Sequence, residues 1–170
     1  MIRDDVTITY RPHTSDLIEM RVKWLNDPAV NQHLGSSPTN QAKQKIWFEQ
    51  YEQDESKHFF TILADSQPIG VVGLMKSDLT RKTAEAFVMI GEAEYRGRGL
   101  GVAAIEYIKQ YATGIGLTSL YLGVHQENQA AIHAYQSAGF AFNPAKDDAE
   151  WLAMNWHSKT SSQLFQDVSR

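Results

Sequence analysis

The sequence predicts a mixed α/β domain of the α+β kind, with helices flanking a central mixed sheet. Three observations carry that assignment. Two strand-like runs, "HFFTILA" (58–64) and "IGVVGLM" (69–75), are separated by the turn-forming "DSQP". A helical stripe of apolar residues begins directly after a cluster of glycines at 97–101. The segments run as helices first, then three antiparallel strands, then strand–helix–strand–helix–strand, an order suited to one sheet with covered faces.

Taken in order, "VTITYRP" (6–12) alternates and is rich in β-branched residues, so it reads as a first strand. Leu17, Ile18, Val22 and Leu25 recur at helical spacing over 15–26, and "NDP" (26–28) ends that helix in a turn. A second helix fits 39–54, with Ile46, Trp47 and Tyr51 on one side. After the hairpin, "AEAFVMIG" (84–91) is the next strand. Leu100, Ala103, Ala104, Tyr107, Ile108 and Tyr111 form the stripe of the following helix, which "GIG" (114–116) terminates. "LTSLYLGV" (117–124) is a strand, "NQAAIHAYQSA" (128–138) a helix stopped by Gly139, and "EWLAMNW" (150–156) a last alternating strand. Residues 1–156 thus make a single domain, and the polar tail 157–170 is expected to fray or to sit as an edge appendage.

A chain of 170 residues can bury a core without staples, and 42% hydrophobic with 21% charged residues is ordinary for a globular domain. The absence of cysteine excludes disulfides, thiolate metal sites and a cysteine nucleophile. "MIRDDVTITY" contains no apolar core of signal-peptide length, and no run approaches the roughly 18 apolar residues of a membrane span. The expectation is therefore a cytoplasmic protein with no membrane partner. A net charge of −4 argues against a nucleic-acid partner. The histidines show no metal-ligand spacing, and no metal is expected.

The stretch "EYRGRGLGVAAIEYIKQY" (94–111) carries the most chemical information. Glycine inside a helix costs about 1 kcal/mol relative to alanine, yet Gly97, Gly99 and Gly101 crowd a helix entrance between strand and helix. Free N–H groups of a first helical turn, with the helix dipole behind them, attract anions. Arg96 and Arg98 add forked donors suited to phosphate oxygens, and a pyrophosphate is the natural guest. A tight turn that merely permits packing is the plain alternative. A dinucleotide fingerprint fails because Val102 stands where its third glycine belongs, and no Gly-Lys-Ser/Thr of a Walker A loop exists.

Arg96, Gly99 and Gly101 satisfy R/Q-x-x-G-x-G/A, which resembles the acyl-CoA loop of the GNAT superfamily of N-acyltransferases. Asn128, Ala131, Tyr135, Gly139 and Phe140 form a second run at that family's spacing. "VKWLNDPAVNQHLG" (22–35) is similar to the opening of the branch containing ribosomal-protein alanine N-acetyltransferases, a branch that also acetylates diamines, amino sugars and antibiotics.

The resemblance implies a sheet that splays after the strand preceding the loop, with acetyl-CoA as cosubstrate in the opening. Met89, Ile90 and Gly91 would hold the pantetheine arm, and a main-chain N–H of that strand would polarise the thioester carbonyl. The N–H groups of Arg96, Gly97, Arg98, Gly99, Leu100 and Gly101 would hold the pyrophosphate, and Asn128 would contact the cofactor arm. The reaction implied is direct attack of a primary amine, of a small molecule or a peptide N-terminus, on the thioester. Tyr135 would protonate the departing thiolate and Glu85 would take the amine's proton. His125 is a second base candidate because its ordinary pKa suits neutral pH. Trp24, Trp47, Phe48 and Tyr51 would line the acceptor side unless they pack the core. A polyamine acceptor would require Asp27, Glu49, Glu52 and Glu85 to converge. The alternative from another class is a non-catalytic acyl-CoA-binding module, and the expected state is a monomer or homodimer.

Overall fold

The computed structural model describes residues 5–34 and 38–159. The hairpin tightens to two residues, Asp65 (φ 46°) and Ser66 (φ 68°), between β2 (His58–Ala64) and β3 (Gln67–Asp78). Positive φ at both central positions gives the turn the twist that two right-handed strands need. β1 (Ile8–Pro12) pairs antiparallel with β2, and β4 (Thr83–Ile90) antiparallel with β3. The second half of the sheet contains β5 (Ser119–His125), β7 (Trp151–His157) and a two-residue strand absent from the sequence reading, β6 (Ala141–Phe142). The order is β1-β2-β3-β4-β5-β7-β6, antiparallel everywhere except between β4 and β5. This is the expected mixed, mostly antiparallel sheet.

One face carries α4 (Leu100–Gly114) and α5 (Gln129–Ser137) over the larger core, which includes Ile62, Leu74, Ile105, Ile108, Leu120 and Met154. The buried stripe of α4 is rotated from the expected one. Ala103 is exposed, whereas Ile105 and Ala112 join Ala104 and Ile108 inside.

The opposite face of β2–β4 carries α1 (Ile18–Asn26), α2 (Pro28–Asn31) and α3 (Gln41–Tyr51) over a smaller cluster of Trp24, Val30, Phe59, Val71 and Met89. Gln44 and Phe48, one turn apart, set the buried side of α3 and leave Ile46 55% exposed, contrary to expectation. "NDP" does more than end α1. Asp27 caps α2, its Oδ1 accepting from Ala29 N–H at 3.0 Å, with Pro28 in the first turn. Asn26 holds the chain before α3, donating to Thr39 O at 2.9 Å and accepting from Thr39 N–H at 2.8 Å.

Between β1–β2 and α1–α3 lies a buried polar network. Arg21 donates to His13 Nε2 at 3.1 Å and to Gln44 Oε1 at 2.8 Å, and its guanidinium lies 4.0 Å from the Trp47 ring centroid. Because arginine only donates, Nδ1 must carry the His13 hydrogen, which goes to Thr61 Oγ1 at 2.8 Å. Burial, reinforced by Arg21, depresses His13 to about 3.

Among the described residues no helix covers this face of β5–β7, where Tyr121, Trp151 and Asn155 border an open hollow of about 430 Å³. Among the described residues no helix is long and apolar enough to cross a membrane. β7 ends at His157, one residue past the expected strand end at 156; the predicted tail from residue 160 lies outside the described residues.

Candidate active site

β4 and β5 pair only where Thr83 meets Ser119, Ala84 meets Leu120 and Glu85 meets Tyr121. Beyond Glu85, β4 stays with β3 and β5 with β7, so a wedge opens between them. The pleat decides which groups face it. Gly91 N–H donates to Ile69 O at 2.8 Å. By the alternation of an antiparallel pair, Met89 also directs its amide to β3, while Val88 and Ile90 direct theirs into the wedge. Of the expected trio Met89, Ile90 and Gly91, then, only Ile90 presents its N–H there. Val88 replaces Met89, because consecutive amides of one strand cannot face one edge. Gly91 has another duty: a Cβ on it would stand 2.2 Å from the Trp24 indole.

Tyr135 reaches the wedge from α5. It is 6% exposed, and burial pushes its phenol up to about 12, partly offset by the Val88 N–H donating to it. The hydroxyl thus sits at the unpaired edge of β4 and keeps its proton at neutral pH.

After β4 the chain makes a short 3₁₀ turn, Ala93–Tyr95, before α4. Arg96 N–H is spent within that turn, on Ala93 O at 3.2 Å. From Gly97 to Val102 no backbone N–H has an acceptor among the described residues. Gly97 (φ 72°) and Gly99 (φ 76°) occupy the left-handed region, with open space where a Cβ would stand. Their requirement is conformational, and turns of this kind form anion-binding concavities. Arg98 is exposed and unpaired among the described residues.

The Arg96 side chain points away from the loop, contrary to expectation. Its Nε donates to Ile90 O at 2.9 Å, and one terminal nitrogen reaches Gly91 O at 2.8 Å and Asp27 Oδ2 at 3.3 Å. The Ala29 N–H, then Arg96, hold the Asp27 carboxyl below the usual carboxylate range. Trp24 Nε1 donates to Glu92 Oε1 at 2.9 Å, and Lys23 pairs with the same carboxylate at 2.9 Å. The end of α1 is thereby fastened to the exit of β4.

Asn128 is the N-cap of α5, its Oδ1 accepting from Ala131 N–H at 3.2 Å, which leaves its amide NH₂ for other partners. Glu85 lies at the closed end of the wedge, with Oε2 2.8 Å from Lys76 Nζ. His125 is engaged at both ring nitrogens: Nδ1 accepts from Glu127 N–H at 3.2 Å, and Nε2 faces Glu150 Oε2 at 3.3 Å. That removes the free lone pair a base needs. Trp24 is fully buried and Phe48 2% exposed, while Trp47, Tyr51 and Phe59 stack at 5.1–5.3 Å. These rings pack α1 and α3 onto the sheet. Val88 and Glu92 belong to this region without having been singled out for it, and Asp27, named only as one acidic residue of a polyamine site, turns to Arg96 instead; the two-residue period of β4 was the available signal for Val88.

Comparison with known proteins bears on the same elements. The acetyltransferase (GNAT) domain family matches residues 7–141. Spermidine N(1)-acetyltransferase of Escherichia coli (strain K12) is 34% identical over 95 residues, 55% of this chain and 50% of that protein, so the chain spans about half that relative's length. Acetyltransferase PseH of Campylobacter jejuni (strain 81-176) is 28% identical over 126 residues, covering 74% of this chain and 78% of PseH. The crystal structure of a Vibrio cholerae spermidine N-acetyltransferase in complex with CoA and spermine has the same fold, with a TM-score of 0.81 at 19% identity over 93% of this chain and 98% of that one. With a family match over most of its length and a sheet that splays between β4 and β5, the chain belongs to the GNAT acetyltransferase family.

Proposed function

We propose that the chain is an acetyl-CoA-dependent N-acetyltransferase acting on a primary amine. The observation that carries this reading is the wedge itself. It offers the Ile90 amide and, beside it, the Val88 amide that Tyr135 engages, both free of any strand partner along one wall; it leads to the free N–H groups of 97–102 and contains a buried, protonated Tyr135. An extended pantetheine arm fits beside β4 as a further strand, and a pyrophosphate suits the loop. Arg98 and the Asn128 amide are the side-chain donors on that path.

In this mechanism the amine nitrogen attacks the thioester carbonyl carbon. An N–H of β4 stabilises the oxyanion as the C–N bond forms. The C–S bond then breaks and Tyr135 gives its proton to the thiolate, whose own proton affinity rises in the same desolvated gap. Glu85 takes one proton from the substrate ammonium and frees the lone pair that attacks, and the Tyr135 phenolate left by protonating the thiolate takes the second as the amide forms. The substrate ammonium competes with Lys76, 71% exposed, for that carboxylate.

The name of the Escherichia coli relative supports an amine acceptor. The acidic residues a polyamine would require stand apart, however. Asp27 pairs with Arg96, Glu85 with Lys76, and Glu49 and Glu52 lie exposed on and just beyond α3. The hollow beside Tyr121 and Trp151 adjoins Glu85 and is the acceptor's approach.

Thermal unfolding with acetyl-CoA and CoA, against ATP and NAD, tests the cofactor. At 100 times Kd the stabilisation is about 2.7 kcal/mol, a rise of roughly 5–10 °C for both CoA species and none for the controls. Tyr135→Phe should cut turnover by about 10²-fold while CoA affinity holds. A protein that binds CoA and acetylates no member of a broad amine panel would be a binding module instead.

A further inference from the structure

Two stretches far apart in sequence interlock at the exit of β4. One is Trp24 to Pro28; the other runs from Gly91 to Arg96. We propose that Arg96 is a positioning residue that couples occupancy of the pyrophosphate loop to the order of α2, through Asp27. This rests on the reading that the loop binds CoA.

Three observations carry it. The Arg96–Asp27 pair is partly solvated, with side chains 29% and 36% exposed, and pairs in that setting add little stability. A purely structural role therefore explains poorly why one guanidinium ties together Ile90 O, Gly91 O and Asp27. Arg96 also directly precedes the free N–H groups that begin at Gly97, so an anion settling there acts on the residue's own backbone. Finally, Asp27 is the cap of α2, a helix of four residues that cannot persist alone. Its order depends on that cap and on docking. Just beyond its other end, the His33 ring lies 5.8 Å from that of His125, at the end of β5. Segment 27–33 therefore bridges from the β4 side of the wedge to the β5 side, over the face where the acceptor would approach.

Hydrogen exchange on the full chain, with and without CoA, tests the coupling. In the wild type, CoA should slow exchange both in 97–102 and in 28–33, the latter by about fivefold or more. Asp27→Asn keeps a capping side chain but loses the charge, so the helix should still form. In that variant the loop should still gain protection, with the CoA Kd within about threefold of wild type, while the gain in 28–33 disappears. Arg96→Lys keeps the charge and loses the fork, and should behave alike. If either folded variant retains full protection of 28–33, or if the wild type gains protection in the loop alone, the coupling is wrong. CoA that protects neither segment of the wild type overturns the cofactor reading together with the coupling.

Discussion

Gly91 and Gly97 show how differently one residue type can be constrained. At Gly91 a methyl group would enter the Trp24 indole, which is fully buried and held by Glu92, so neither partner can yield. Gly91→Ala should destabilise by about 2 kcal/mol, lowering the thermal midpoint by roughly 4–8 °C. At Gly97 a methyl meets nothing, and only the left-handed φ resists it. Gly97→Ala should therefore cost about 1 kcal/mol, a smaller shift in the same calorimetric scan. Larger loss at 97 than at 91 would mean that the loop backbone, not the Trp24 contact, is the tighter constraint. The two glycines read alike in the sequence, because the partner that separates them, Trp24, lies on a helix distant in the chain.

At the scale of elements, α5 was the most legible. Asn128 and Tyr135 sit on one helix, so their spacing alone fixes how they stand to each other. Asn128 combines two duties that substitution can separate. Asn128→Ala should cost about 1 kcal/mol in stability through the lost cap. Asn128→Asp keeps the cap and removes the NH₂ donor, so the midpoint should hold while the CoA Kd weakens by about three- to tenfold in titration calorimetry. An unchanged Kd would remove Asn128 from the cofactor path. Less was legible in β4 and its exit. Which amides of β4 face the wedge depends on register with β3, and the direction of the Arg96 side chain depends on Asp27, 69 residues away. Neither relation leaves a trace in local spacing. The split "NDP", with Asn26 turned to α3 and Asp27 to Arg96, was hidden for the same reason.

For the whole molecule, the order of elements was readable from the change of period along the chain, whereas the polar network under α1 was not. That network makes a pH prediction. His13 titrates near 6.5 when unfolded but is held at about 3 when folded, so below pH 6.5 the unfolded chain takes up a proton that the native state refuses. Stability is full above 6.5 and should fall by about 1.4 kcal/mol per pH unit from this group alone as pH drops. Burial lowers His58 too, which adds in the same direction. Denaturant unfolding at pH 6.5 and 5 should show a smaller loss for His13→Gln than for wild type, by about 2 kcal/mol. Equal slopes would place the titrating group elsewhere. The three residue pairs joining β4 to β5 carry a mechanical consequence. They are the sheet's own stitching along the seam between its two halves, and they lie at one end of it. A force that parts the two halves must break them one after another, like a zip, rather than all at once. A thin guest lying along β4 would add sutures to the open length of that seam, so the filled molecule should tear along a different line from the empty one.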